Sequence, residues 1–289
     1  MKVMYDEQKK EWIELPPDSK EGMYIDGKLK IKLDSIKSIL KKNWDAPFMI
    51  DGLEGSGKIT LGLTCAWYLS DTKFTKENIC KSAKNAISKL GSFPDESVLL
   101  IDEGDLMFSS KEVFNTEQQR LIKLLKVIRY KKMVLIIIAP SFFDLNKGIS
   151  VRRSRFLLHV YTDPKMNRGR YAYFGEKKKK MLYEIGKKNF GSYYKPSADF
   201  VGRFTDFNPL GEDYHEVKDE IVNGLIDETK IDKPKSKNDY LVEFIAKFKE
   251  NCPEVSHETI IRGFNTSRST YYRLLRGGVK VSVPNSKDI

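Results

Sequence analysis

Apolar residues recur along the chain in a few distinct rhythms, and each predicts a different kind of element. Phe48-Met49-Ile50, Val98-Leu99-Leu100-Ile101 and Met133–Ala139 are apolar at nearly every position. A strand covered on both faces reads this way, so these runs predict central strands of a parallel sheet. Between them, Ile59–Leu69 is apolar enough for a helix packed on that sheet, and Thr116–Arg129 carries Leu121, Ile122, Leu124, Leu125 and Ile128 at helical spacing. From Pro47 to about Phe174 the alternation of the two patterns predicts an α/β fold, a mostly parallel sheet flanked by helices. Alternation over Met23–Leu33 predicts a small hairpin around Asp26-Gly27, and Ser35–Lys42 a short helix. Near the other end, Leu241, Phe244, Ile245 and Phe248 form one stripe of a helix over Asp239–Glu250. Pro234 and its Lys/Ser neighbours mark a linker. These signals divide the chain into an N-terminal segment (1–45), an α/β core (46–175), an extension and linker (176–232) and a small all-α domain (233–289).

The first strand runs into a glycine loop. Gly52-Leu53-Glu54-Gly55-Ser56-Gly57-Lys58-Ile59-Thr60 matches the pattern G-x-x-x-x-G-K-[ST] at Gly52, Gly57 and Lys58. Its glycines allow successive amides to curl around a phosphate, Lys58 adds a point charge, and the next helix presents its positive end. Ile59 stands where a hydroxyl ordinarily completes a magnesium shell, and isoleucine has no oxygen to give. Thr60 is one position further, about 100° around the helix, so its hydroxyl should point elsewhere. Nucleotide binding is therefore predicted, with ATP as ligand and Mg2+ as its companion, while turnover needs a second group.

That group follows the second strand, 44 residues after Lys58. Asp102 at the strand tip is placed to hold magnesium, and Glu103 to polarise a water against the γ-phosphate. Asp105 is a weaker candidate, more naturally a solvated loop carboxylate. Ser141, ending the third strand, either contacts the γ-phosphate or simply closes a turn. Three arginines, Arg152, Arg153 and Arg155, precede a further strand at Phe156–Tyr161. Arg152 or Arg153 could serve as a finger to a neighbour's γ-phosphate, grip DNA phosphates, or sit in solvent.

Charge extends the picture. Lys and Arg number 51 against 40 Asp and Glu, a net charge of +11, which favours a polyanionic partner. Residues 233–289 hold eleven Lys/Arg against six Asp/Glu. There Ser256 is placed to cap a helix containing Ile260 and Ile261, Gly263–Thr266 to turn, and Ser267 to cap another helix, a helix-turn-helix pattern. Arg268, Ser269, Thr270 and Tyr272 would face base edges, and Arg273 and Arg276 phosphates, of double-stranded DNA; a helical protein-docking module is the alternative. Lys177–Lys180 reads as a solvated face or the lining of a DNA channel. Three cysteines fit no disulfide framework, no run suits a bilayer and the first residues carry no secretion signal, so a cytoplasmic setting is expected.

Gly52–Lys58, Leu99–Glu103 and Leu135–Ser141 followed by Arg152/Arg153 resemble the additional-strand class of phosphate-loop ATPases. Within it, the chain is similar to FtsK/HerA-type DNA-pumping motors and to viral or plasmid packaging and zonular-occludens-toxin-like ATPases. The resemblance spans roughly residues 46–175. It implies a ring oligomer, typically a hexamer, with sites between subunits, viral or plasmid partner proteins and a prokaryotic host cytoplasm. Two readings follow: an ATP-driven DNA translocase, or a nucleotide-gated DNA-binding regulator of replication, partition or transposition in which ATP is a slow switch. Ile59 favours the second. A small-molecule kinase fits neither the helix-turn-helix pattern nor the lack of an acceptor-pocket motif.

Overall fold

The computed structural model describes residues 1–108, 116–230, 245, 254–263, 268, 271 and 272. At the N-terminus β1 (Lys2–Asp6) pairs antiparallel with β2 (Glu11–Leu15), and β3 (Met23–Tyr24) adds to the other side of β1. Here the expected hairpin at Asp26-Gly27 is corrected. Asp26 instead caps α1 (Gly27–Leu40), its carboxylate accepting from the Lys28 and Leu29 amides at 2.9 and 3.2 Å. Leu29, Leu33, Ile36 and Leu40 recur at helical spacing and are all buried. The Lys/apolar alternation of Leu29–Leu33 is a short stretch of that helical stripe, too brief to separate the two periods.

The larger sheet contains β4 (Phe48–Gly52), β5 (Ile79–Cys80), β6 (Val98–Ile101), β7 (Val134–Ala139), β8 (Leu157–Tyr161), β9 (Arg170–Phe174) and β10 (Phe200–Arg203), in the order β10-β9-β8-β4-β7-β6-β5. The five strands from β8 to β5 are parallel, and β9 and β10 continue the sheet antiparallel. Strand β7 lies between β4 and β6, so an additional strand separates the glycine-loop strand from the acidic one. Successive side chains alternate between faces. Phe48, Ile50, Leu100, Ile136 and Ile138 pack with α1 and α2 (Lys58–Leu69). Met49, Leu99, Ile101, Leu135 and Ile137 pack with α3 (Ala83–Ser92), α5 (Thr116–Val127) and α6 (Glu176–Lys188) on the other face. Burial on both sides explains the unbroken apolar runs. A short helix α4 (Gly104–Phe108) follows β6.

The chain divides into two compact units, Met1–Val222 and Asn223–Ile289. Helix α7 (Asp213–Lys230) begins in the first. In the second, Ser256 accepts from the Thr259 amide at 3.2 Å and caps α8 (His257–Gly263). Ile260 and Ile261 are buried with Ile245 and Tyr271, whose hydroxyl lies 2.7 Å from His257 Nδ1. Arg268, paired with Glu258, and Tyr272 are exposed. Ser269, Thr270, Arg273 and Arg276 lie outside the described residues, as does most of the expected helix Asp239–Glu250.

Two basic side chains depart from the sequence expectation. A π-helical stretch, Gly148–Arg153, leads into β8. The Arg153 guanidinium pairs with buried Asp45 and donates to the Leu125 carbonyl at 2.7 Å. Arg153 is thus committed within its own chain, which removes it as a free finger, whereas Arg152 is exposed. On α6 the expected solvated face has an exception in Lys179, which is fully buried. Its ammonium donates to the Ser154 carbonyl and hydroxyl, the latter at 2.6 Å, closing the end of the π-helical stretch. Burial pulls the Lys179 pKa from 10.5 to about 7.

Two outcomes follow. Arg153→Ala strands the Asp45 carboxylate and should cost about 3 kcal/mol in urea denaturation, against almost nothing for Arg152→Ala. For Lys179, the folded chain binds fewer protons than the unfolded one between pH 7 and the ordinary lysine range. Its penalty is therefore complete below pH 7 and relieved as pH rises. Unfolding free energy should gain up to about 1.4 kcal/mol per pH unit above neutrality from this group, a slope that Lys179→Met removes. Equal slopes in the two proteins would contradict the assignment.

Candidate nucleotide site

The site forms where β4, β6 and β7 end. Gly52 closes β4 at φ +142°, and a Cβ there would run into the Val160 carbonyl of β8, so only glycine lets the two strands approach. Gly57 precedes α2 as its N-cap at φ +97°, with Phe204 3.2 Å from where its Cβ would sit. Leu53, Glu54 and Gly55 are exposed at the loop crest, and Arg168 of the β8–β9 hairpin lies 3.8 Å from the Cβ position of Gly55. Ser56 is buried, and its hydroxyl has no hydrogen-bond partner. Lys58 Nζ donates to the Gly52 and Leu53 carbonyls at 2.9 and 3.0 Å, folded back across its own loop. Burial draws the Lys58 pKa below the ordinary lysine value, opposed by the charges of Glu103, Asp102 and Asp51. Ile59, in the first turn of α2, packs against the core, and the Thr60 carbonyl accepts from Thr64 Oγ1 at 2.9 Å. An orphaned hydroxyl in a glycine cradle, with a lysine at its base, fits the phosphates of a nucleotide.

The acids are held differently from the sequence expectation. Asp102 is buried, and Oδ1 accepts from the Glu103 amide at 3.2 Å. Its Oδ2 accepts from Tyr214 Oη at 3.0 Å and faces Lys218 Nζ at 2.8 Å. Lys218 also reaches Glu103 Oε1 at 2.7 Å. Burial and the Asp102 charge push the Tyr214 hydroxyl pKa up. For Lys218, burial works against the charge, but Asp102 and Glu103 prevail and hold the ammonium above the usual lysine value. Glu103 adopts φ +58°, a left-handed conformation unusual for a non-glycine residue. The next residue, Gly104, has no room for a Cβ against Ile137 and Ile138. Asp105 is half-buried with one oxygen unpartnered, and burial raises its pKa. Ile59 offers no oxygen and both Asp102 oxygens have protein partners. With Ile59 bringing no oxygen and the Lys218 ammonium already seated between Asp102 and Glu103, the donor set does not fit the expected magnesium ion.

A third cluster escaped the sequence reading. Asp51, in register with His159 on β8, is completely buried. Its carboxylate accepts from the Phe142 amide at 3.0 Å and from the Tyr193 hydroxyl, and lies 2.9 Å from His159 Nδ1. His159 and Tyr193 stack with ring centroids 3.6 Å apart. Ser141 Oγ accepts from the Phe143 amide at 3.2 Å, the turn-closing role. A polar residue ending an apolar strand was the available signal for Asp51. For Lys218 it was the spacing Tyr214, Lys218, with Val217 and Ile221 between and beyond.

Arg152 and Arg153 precede β8, at the opposite end of the parallel strands from the loop. Among the described residues no helix is long and apolar enough to cross a membrane.

No family model and no curated protein matches the chain. Among solved structures, it is similar to the N-terminal domain of zonular occludens toxin from Neisseria meningitidis (TM-score 0.39, 13% identity, 60% of this chain and 98% of that chain). It is also similar to the genome packaging NTPase B204 from Sulfolobus turreted icosahedral virus 2 in complex with ATP-gammaS (TM-score 0.33, 14% identity, 46% and 93%). A third is the FIGL-1 AAA domain in complex with ADP (TM-score 0.36, 13% identity, 78% and 87%). The strand order of the chain itself, with β7 between the strands of the glycine loop and the acidic pair, gives the core the additional-strand phosphate-loop fold.

Proposed function

We propose that the chain is an ATPase that couples nucleotide binding and hydrolysis to the handling of double-stranded DNA, as a translocase or packaging-type motor. The single observation that carries the reading is the glycine cradle with its orphaned Ser56 hydroxyl and Lys58, facing Glu103 from across the additional strand. Loop amides and Lys58 bind the phosphates, and Glu103 takes the proton from the attacking water. Because Glu103 is paired with Lys218, taking that proton requires the carboxylate to exchange partners. The net charge of +11 and exposed Arg268 and Tyr272 support DNA as the polyanion engaged. In a ring of subunits, exposed Arg152 is the better finger toward a neighbouring site.

One observation favours the second reading, a nucleotide-gated DNA-binding regulator. Ile59 together with the Lys218 bridge disfavours rapid turnover while leaving the cradle intact. Displacement of a triplex strand by the wild-type protein would separate a motor from a switch.

ATP hydrolysis should rise on adding duplex DNA, and Glu103→Gln should lower it about 100-fold while ATP still binds. Lys58→Ala should abolish both binding and turnover. Wild-type activity indifferent to both substitutions would sink the proposal. In the same assay Ile59→Ser, which supplies the absent hydroxyl, should raise the magnesium-dependent rate; an unchanged rate would show that the hydroxyl is not what limits turnover.

A further inference from the structure

Lys218 stands where the fold would otherwise call for a divalent cation. Its ammonium lies 2.8 Å from Asp102 Oδ2 and 2.7 Å from Glu103 Oε1, bridging the two carboxylates that face the phosphate cradle. Tyr214, one helical turn earlier on α7, donates to the same Asp102 oxygen at 3.0 Å. The other Asp102 oxygen is occupied by the Glu103 amide, and Ile59 supplies nothing.

Helix α7 is anchored too firmly over residues 213–221 for this contact to be incidental. Tyr214, Val217 and Ile221 are buried in the core shared by α1 and α2. Lys76 pairs with Asp213 at 3.4 Å and Glu216 at 2.8 Å, and Lys81 pairs with Glu220. A lid held only by a surface ion pair or two would come away at little cost, since such pairs contribute roughly 0–1 kcal/mol. Three buried apolar side chains make this segment part of the core instead.

Electrostatics gives the ammonium a task. Nucleotide polyphosphate placed beside Asp102 and Glu103 meets two carboxylates, and Lys58 alone leaves that repulsion uncompensated. Lys58 and Lys218 flank Asp102 and Glu103, and Asp51 and Glu54 near Lys58 add to the negative charge that the second ammonium offsets.

We propose that the Lys218 ammonium is the resident cation of the nucleotide site, so that this chain binds ATP without a divalent metal. The inference rests on the nucleotide-site reading above and concerns binding alone.

Fluorescence titration of the full chain with a trinitrophenyl ATP analogue, in EDTA and in magnesium chloride, tests it. Wild-type affinity should agree within about threefold between the two buffers. Lys218→Met should weaken binding in EDTA by about tenfold or more, as expected on losing a charge-assisted contact, and magnesium should restore part of it. Lys218→Arg keeps a cation and should bind in EDTA like the wild type, which also guards against misfolding of the Met variant. Wild-type binding that collapses in EDTA would overturn the proposal, as would Lys218→Met binding equally or more tightly there. The latter result would instead mark Lys218 as an autoinhibitory plug. Absence of binding in both buffers, with Lys58→Ala indistinguishable from wild type, would overturn the nucleotide-site reading itself, a distinct failure.

Discussion

Everything at the nucleotide end of the sheet depends on keeping a fully buried carboxyl group, Asp51, satisfied by hydrogen-bond partners at the end of the central strand. A lone carboxylate removed from water is prohibitively costly, so its oxygens must be met by donors. Those donors are Tyr193, the Phe142 amide and the neighbouring His159, and each belongs to a different segment. By gathering them, Asp51 fixes the turn after β7, the strand β8 and the 190s segment against the strand that feeds the glycine loop. The loop can then take its glycine-only path beside the Val160 carbonyl because both neighbouring strands are held in place.

The same principle governs the acidic edge. Asp102 is buried and needs donors as Asp51 does, and a helix far along the chain provides them through Tyr214 and Lys218. The two carboxylates at the loop thus draw distant parts of the chain onto the α/β core. This explains why residues beyond the strand–helix alternation belong to the same compact unit as the core.

Much of the architecture was legible in the sequence because it rests on strong local periodicity. Val134–Ala139 and Val98–Ile101 could only be doubly covered strands, and Gly52–Lys58 is a pattern in which each glycine has a steric reason. Short alternations were less trustworthy: the Met23–Leu33 pattern is satisfied by a helix, and the Asp26 cap decides between the two. Side-chain partnership was least legible, because it depends on which distant element folds onto a given edge. Nothing local distinguishes Lys179, sealed inside, from Lys177 and Lys180 beside it, or Arg153 in its ion pair from exposed Arg152. Lys218 belongs to this class: its spacing from Tyr214 signals a shared face, but not that the face meets Asp102.

That spacing has a consequence for how the chain tolerates change in length. Tyr214 and Lys218 address one carboxylate because four residues return a helix nearly to the same azimuth. Phe204–Asp213, by contrast, contains an irregular stretch before the helix begins, where added residues can be looped out. Insertions there leave the phase of α7 intact, whereas a single residue gained or lost between 214 and 218 swings one of the two side chains by about 100° off target. The nucleotide site therefore contains a short ruler, forgiving at its approach and strict over one turn.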